Sequence, residues 1–363
     1  MALDIGKIDY RLKVEETVTE EDIVWHDVRT ADVDIYGLMD TGKQFIRMPY
    51  DRAKAVSDDV AELSVQTAGG RLRLKTDSKY VAIRAFRPKS YNHISHMNFL
   101  GTAGFDLFVK NEDGQYEFLG VFKCKVKENE GYEAVVQFET NKMRDITIYF
   151  PLFAEVHDLY VGVQETATLT HGDKYTIEKP VYYYGSSITH GGCASRPGNC
   201  HTAMLSRMFD YDYVNLGFSG SAKGEKAIAE YLAEQDMSVF VLDYDFNSAV
   251  PDLERTHWQM YRVFRDAHPE VPIVFASQCT LRWKERLAAL TAIRRDSIIR
   301  NFEKAKSRGD DRVFFVDGKG VFNAFGGDSC TVDGIHPNDL GFYAMTKAYG
   351  AEIKKALEVA GYV

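Results

Sequence analysis

The sequence predicts an α/β protein in two parts: an antiparallel β-sandwich of jelly-roll kind over residues 1–178, then a doubly wound parallel sheet over residues 179–363. Three observations carry that prediction. Up to about residue 178 the hydropathy alternates with period two and long helical stretches are lacking. Beyond it, short apolar runs alternate with segments of helical periodicity, the pattern of a parallel sheet covered on both faces. The run Val181-Tyr182-Tyr183 ends abruptly in Tyr184-Gly185-Ser186-Ser187-Ile188-Thr189, which delivers a small hydroxyl residue to a strand's carboxyl end, where ligand sites of open α/β sheets gather.

In the first part, Leu72 and Leu74 alternate with Arg71, Arg73 and Lys75, and Asp77-Ser78 turns the chain. Val81, Ile83 and Ala85 then alternate with Ala82, Arg84 and Phe86, so a hairpin with one buried face is expected. The Asp-Gly pair within Asn111-Glu112-Asp113-Gly114 predicts a second hairpin between 105–109 and 116–119. Further strands are expected at 133–138, 145–150 and 158–163, for a total of roughly 8 to 10 in a sandwich. Only 56–65 reads equally well as a short helix. Tyr91-Asn92-His93-Ile94-Ser95-His96-Met97-Asn98-Phe99 breaks the strand pattern and reads as a loop, either on the surface or against a ligand. The polar stretch 166–180 is the expected linker.

In the second part, strands are expected at 181–184, 211–216, 238–243, 271–277 and 312–316. Helices are expected at 199–209, 223–234, 252–267 and 283–307, with a last one from Asp339, a plausible N-cap after Pro337, to Val359.

Composition narrows the function. The 363 residues are 45% hydrophobic and 27% charged, enough apolar matter for two cores and too much for disorder. A net charge of −9 argues against nucleic acid or an anionic membrane as partner, since phosphate binding needs a basic face. No stretch reaches the roughly 18 apolar residues of a spanning helix and no apolar leader follows the first residues, so a cytoplasmic location is expected. Five cysteines (Cys124, Cys193, Cys200, Cys279 and Cys330) without CxxC spacing suit reduced thiols better than a disulfide framework or a zinc site. Asp243, Asp245, His190 and His201 lack metal-ligand spacing, and no metal or other cofactor is expected. Arg196, Trp258 and Trp283 either line the site or pack elsewhere. The oligomeric state is left open.

Four segments at or after strand ends carry the chemistry. They are Gly185-Ser186-Ser187, Asn215-Leu216-Gly217-Phe218-Ser219-Gly220, Asp243-Tyr244-Asp245-Phe246-Asn247 and Asp333-Gly334-Ile335-His336-Pro337. Ser, Gly, Asn and His in that order resemble the four blocks of the SGNH, or GDSL-like, hydrolases, whose doubly wound domain is a flavodoxin-like three-layer fold. Gly104-Phe105-Asp106-Leu107-Phe108 is similar to the Gly-x-Asp-Leu-Tyr signature of a domain that precedes some of these enzymes, with Phe108 where tyrosine is usual. The plan resembles that of two-domain carbohydrate acetylesterases.

The resemblance implies that Ser187 is the nucleophile, with Ser186 standing where aspartate is common. A serine hydroxyl needs a base, and neutral imidazole is suited to take its proton and return it to the leaving alcohol, which makes His336 the candidate. Asp333, three residues earlier, can orient that imidazole from the same loop. The backbone N–H groups of Ser187 and Gly220 and the side-chain amide of Asn247 would stabilise the oxyanion, with Gly217 a rival to Gly220. A serine esterase acting on a small-molecule or oligosaccharide ester, foremost an O-acetyl group on a sugar, is thus expected. The alternatives are a lipid or lysophospholipid acylhydrolase of the same superfamily and a non-catalytic carbohydrate-binding protein on the same scaffold.

Overall fold

The structure, a computed structural model, describes residues 7–9, 13, 17–87, 94–124, 131–279 and 285–363. Two antiparallel sheets form the first half. One has the strand order Ile23–Asp27, Asp158–Gln164, Tyr80–Phe86, Tyr132–Gln137. The other runs Leu169–His171, Arg71–Thr76, Arg144–Tyr149, Phe105–Lys110, Tyr116–Phe122, with Asp34–Tyr36 also paired to Arg71–Thr76. Alternate side chains of the facing sheets, among them Leu72, Leu74, Ile146 and Ile148 from one and Val81, Ile83, Val161 and Val163 from the other, meet in one core.

The expected pairing of 71–76 with 80–86 is not made, because the two strands lie in different sheets and face one another across this core. Ser78 between them is buried, and its Oγ accepts from the backbone N–H groups of Tyr80 and Gln164. The intervening residues therefore cross from sheet to sheet. The second hairpin forms as expected, Phe105–Lys110 against Tyr116–Phe122. The stretch left open at 56–65 is helical over Asp58–Ser64, capped by the Ser57 side chain. The expected linker at 166–180 holds the edge strand Leu169–His171 and the start of the strand Ile177–Gly185.

The second half is a parallel sheet ordered Tyr211–Gly217, Ile177–Gly185, Val239–Asp243, Ile273–Ala276, Val313–Val316. Its strands are apolar on both sides, as a doubly covered sheet requires. Val239 and Val241 pack with Ala203, Leu205, Phe342, Met345 and Tyr349 of helices His201–Phe209 and Asp339–Val359. Phe240 and Leu242 pack on the other side with Ile228, Leu253, Met260, Phe264 and Ile298 of Lys226–Ala233, Val250–Ala267 and Glu285–Ser307. The first strand lies between the second and third in chain order, so connections leave its carboxyl end in opposite directions and open a crevice there. No helix among the described residues is long and apolar enough to cross a membrane.

The last helix is capped by Asn338, whose side chain accepts from Gly341 N at 3.2 Å, and not by Asp339. Asp339 lies inside the first turn and takes Ser195 N at 2.9 Å, Ser195 Oγ at 2.5 Å and Asn199 Nδ2 at 2.8 Å. Arg71 and Arg73 alternate with core residues, as solvent-facing side chains would, yet both are buried. The parallel sheet covers that outer face: Arg71 pairs with Asp212 and donates to Tyr213 O at 2.9 Å. Arg47, also buried, donates to Asn215 O at 3.1 Å and Gly217 O at 2.6 Å, so the sandwich braces the strand end that leads to Gly220.

Candidate active site

The strand Ile177–Gly185 ends at a residue that must be glycine, because a Cβ on Gly185 would collide with Thr189 Oγ1 and Asp243 O. Ser186 is extended, and its Oγ caps the following turn by accepting from Ile188 N at 3.2 Å. The short helix Ser187–His190 then stops at Gly191 with φ +107°, a left-handed conformation suited to glycine. Ser187, at the first position, is buried, and its Oγ lies 3.0 Å from His336 Nε2.

The loop before the last helix supplies the imidazole. Asp333 Oδ1 accepts the backbone N–H groups of Ile335 and His336 at 2.9 and 2.8 Å, while Oδ2 lies 2.7 Å from His336 Nδ1. Burial works to raise the Asp333 carboxyl, but these bonds from His336 and Ile335 outweigh it and hold the group down to about 2. An ionised Asp333 fixes the proton on Nδ1, which leaves the Nε2 lone pair facing the Ser187 hydroxyl.

Gly220 is exposed at φ +69° with open space where a Cβ would stand, so its backbone is accessible. Its rival Gly217 is buried, and a Cβ there would collide with the backbone of His190. Packing on the short helix explains that glycine without a catalytic role. Asn247 is anchored by its own Nδ2, which donates to Phe218 O at 3.2 Å. The Ser187 N–H opens a helical turn that supplies it no acceptor.

Residues 178–354 match the family model described as GDSL-like Lipase/Acylhydrolase, and residues 23–169 match that of the N-terminus of Esterase_SGNH_hydro-type. The chain carries a GDSL-like acylhydrolase domain behind an SGNH-esterase N-terminal domain. None of the curated proteins matches it. Among solved structures it is similar to a GDSL-like lipase candidate from Bacteroides ovatus ATCC 8483, at 27% identity and a TM-score of 0.83 over 93% of this chain and 98% of that one. The salicylyl-acyltransferase SsfX3 from a tetracycline biosynthetic pathway shares the fold at 22% identity, with a TM-score of 0.75 over 93% and 98%. An active-site mutant of a family two carbohydrate esterase from Clostridium thermocellum does so at 14% identity, with a TM-score of 0.63 over 92% and 100%.

The remaining candidates of this GDSL-like hydrolase have structural partners. His190 stacks on Phe153 and its Nε2 lies 2.7 Å from Leu152 O, while His201 is buried beside Phe342 and Tyr349. Arg196 bonds Asp106, and Trp258 packs against Tyr261. Trp283 and Tyr91–His93 lie outside the described residues. The five cysteines are free and buried.

Three neighbours of the site have contacts that sequence reasoning did not assign to them. His96 of the loop at 94–98 lies beside His336. Asn215 is buried; its Nδ2 donates to Thr189 O at 2.7 Å and its Oδ1 accepts from Gly217 N at 2.9 Å, tying the nucleophile helix to the next strand. Asp243 accepts from Thr189 Oγ1 at 3.0 Å through its side chain and from Ser186 N at 3.2 Å through its backbone. The signal for the last two was their place at strand ends flanking the first strand; for His96 no motif existed.

Asp243 is buried, and burial, followed by the charge of Asp245, pushes its carboxyl up from 3.8 to about 8. The folded chain thus keeps a proton that the unfolded chain releases, so this group's contribution to stability is lost as pH rises from about 4 to about 8. Asp243→Asn keeps the shape and removes the linkage. Between about pH 5 and pH 8 the thermal midpoint of the wild-type protein is expected to drop at least about 1.5 °C more than that of the variant, roughly 1 kcal/mol for a chain of this size. Parallel pH profiles in scanning calorimetry would show that Asp243 is ionised in the fold.

Proposed function

We propose that the protein is a serine esterase that removes short acyl groups, foremost acetyl, from carbohydrates. The observation that carries this reading is the sequence of contacts from Ser187 Oγ to His336 Nε2 at 3.0 Å and from His336 Nδ1 to Asp333 at 2.7 Å. Ser187 Oγ attacks the ester carbonyl as His336 Nε2 takes its proton, and Asp333 stabilises the imidazolium. The oxyanion is met by the N–H groups of Ser187 and Gly220 and the amide of Asn247. Collapse expels the sugar alcohol, which leaves with the proton from His336. Water, deprotonated by the same nitrogen, then hydrolyses the acyl-enzyme and restores Ser187.

A short acyl group and a polar leaving group are supported by the loops that flank the nucleophile, Gly191-Gly192-Cys193-Ala194-Ser195-Arg196 and Phe218-Ser219-Gly220-Ser221, which supply small and polar residues in place of an apolar lid. The two-part plan shared with the family two carbohydrate esterase supports the sugar by analogy of fold.

On 4-nitrophenyl esters from acetyl to decanoyl, kcat/KM is expected to fall at least about tenfold between acetyl and hexanoyl, since even one methylene that does not fit is worth about 1–3 kcal/mol. Acetate release from acetylated oligosaccharides, with the lost group located by NMR, identifies the sugar. A preference for octanoyl or decanoyl esters would turn the assignment to a lipid acylhydrolase.

A further inference from the structure

Beside the Ser187–His336 pair stand two side chains, His96 and Cys193, that the proposed hydrolytic reaction does not use. The His96 ring stands 5.7 Å from that of His336, centroid to centroid, and its Nε2 is 3.9 Å from Asp333 Oδ2. Cys193 closes the third side: one ligand atom from each of His96, Cys193 and His336 lies within 4.8 Å of the others. Cys193 is held at φ +73°, one of two non-glycine residues with a left-handed backbone among those described. Such a backbone costs about 1–2 kcal/mol and persists where the surroundings impose it. Here it sets a thiol beside two imidazoles.

Two imidazoles and a thiolate form a donor set for a borderline-soft divalent cation of the zinc class, which takes three protein ligands and leaves a fourth position to water. With bonds of about 2.0–2.3 Å to nitrogen and sulfur, ligand atoms around one ion stand roughly 3.3–3.7 Å apart. Rotation of the exposed His96 can close the difference. His336 is already prepared, because Asp333 at Nδ1 gives the carboxylate–imidazole arrangement that orients metal-binding histidines and leaves Nε2 as the donor. Asp333 and the Cys193 thiolate together offset the two charges of the ion.

We propose that His96, Cys193 and His336 form an inhibitory site for Zn²⁺ or a cation of its class. The ion takes the Nε2 lone pair that would otherwise receive the Ser187 proton, so the inhibition rests on His336 being the general base. As the sulfur–metal bond forms, the Cys193 S–H proton passes to solvent, with no change of oxidation state.

The test uses the full chain with Co²⁺ as a spectroscopic probe and Zn²⁺ as the inhibitor. Wild-type protein is expected to show thiolate-to-cobalt charge-transfer absorption and to lose ester hydrolysis with added Zn²⁺, reversibly on chelation. His96→Ala and Cys193→Ser are each read against their own metal-free rate on 4-nitrophenyl acetate. Both should raise the half-inhibitory zinc concentration at least about tenfold, the loss that even an outer-shell partner's removal brings, and Cys193→Ser should abolish the sulfur band. A cobalt complex without that band, or zinc inhibition unchanged in both variants, overturns the proposal. A sulfur band on an enzyme that zinc leaves active upholds the site and overturns the inhibition, and with it His336 as the base.

Discussion

Ser187→Ala is expected to lower kcat on 4-nitrophenyl acetate by at least about 10⁴-fold while leaving the protein folded. The loss should be large because in the proposed mechanism the hydroxyl is the bond-forming atom, and what survives is binding and oxyanion stabilisation alone. The fold should persist because alanine fits the space and only the contact from Oγ to His336 Nε2 disappears. Ser186→Ala is the informative companion. It removes the cap on Ile188 N, a change of about 1 kcal/mol, and leaves the Ser187–His336 contact in place. It should retain most of the activity and lose some thermal stability. Burst-phase kinetics and fluorophosphonate labelling read the same distinction directly, with labelling lost in Ser187→Ala and kept in Ser186→Ala. Full activity in Ser187→Ala would refute the nucleophile assignment.

The two serines also show what the sequence could convey. The parallel sheet was legible because a doubly covered strand must be apolar on both sides and must end in residues small enough for the next helix to start, as Gly185 and Gly217 do. The loop from Asp333 to His336 was legible because three residues of separation allow one carboxylate to reach a ring nitrogen. Pairing in the sandwich was not. Alternation reports that a strand has one buried face and is silent about its neighbour, so 71–76 and 80–86 read as a hairpin although they meet across the core.

Arg71 and Arg73 misled for a related reason. Charged residues at alternate positions imply water unless a second layer covers them, and the cover, at Asp212 and Tyr213, lies in a distant segment. At the last helix Asn338 and Asp339 are both good capping residues, and only the demand of Ser195 and Asn199 for a carboxylate decides between them. For His96 the sequence offered only the loop at 91–99, on the surface or against a ligand, since proximity to His336 arises only when the sandwich packs on the sheet.

Asp106→Ala is expected to be strongly destabilising, by about 3–5 kcal/mol, because it leaves the partly buried Arg196 guanidinium and the buried Gly198 N–H without their carboxylate. The resemblance singled out the segment 104–108, and the structure shows what its acid holds. Asp106 is fully buried on a sandwich strand, and its carboxylate takes Arg196 Nη1 at 2.9 Å and Gly198 N at 3.0 and 3.1 Å. Burial pushes it up to about 6 against the pull of Arg196 and Arg207, so it is ionised in a neutral assay. Arg196 lies over the Phe118 ring at 3.8 Å, and Arg207 lies over Phe108 at 4.0 Å while donating to Gly198 O at 2.8 Å. Arg196 and Gly198 belong to the segment between the nucleophile helix and the helix His201–Phe209, and Arg207 to that helix itself, so one carboxylate fastens the sandwich to the loop that leaves the site.

Removing that carboxylate should lower the midpoint of urea denaturation with little change in m, and should raise KM as the loop carrying Gly192 and Cys193 loses its anchor. Asp106→Asn separates shape from charge: its amide oxygen can still accept from Gly198 N, so it should fall between wild type and alanine. Equal stability of wild type and Asp106→Ala would mean that the aromatic stacking of the arginines, and not the carboxylate, joins the two halves.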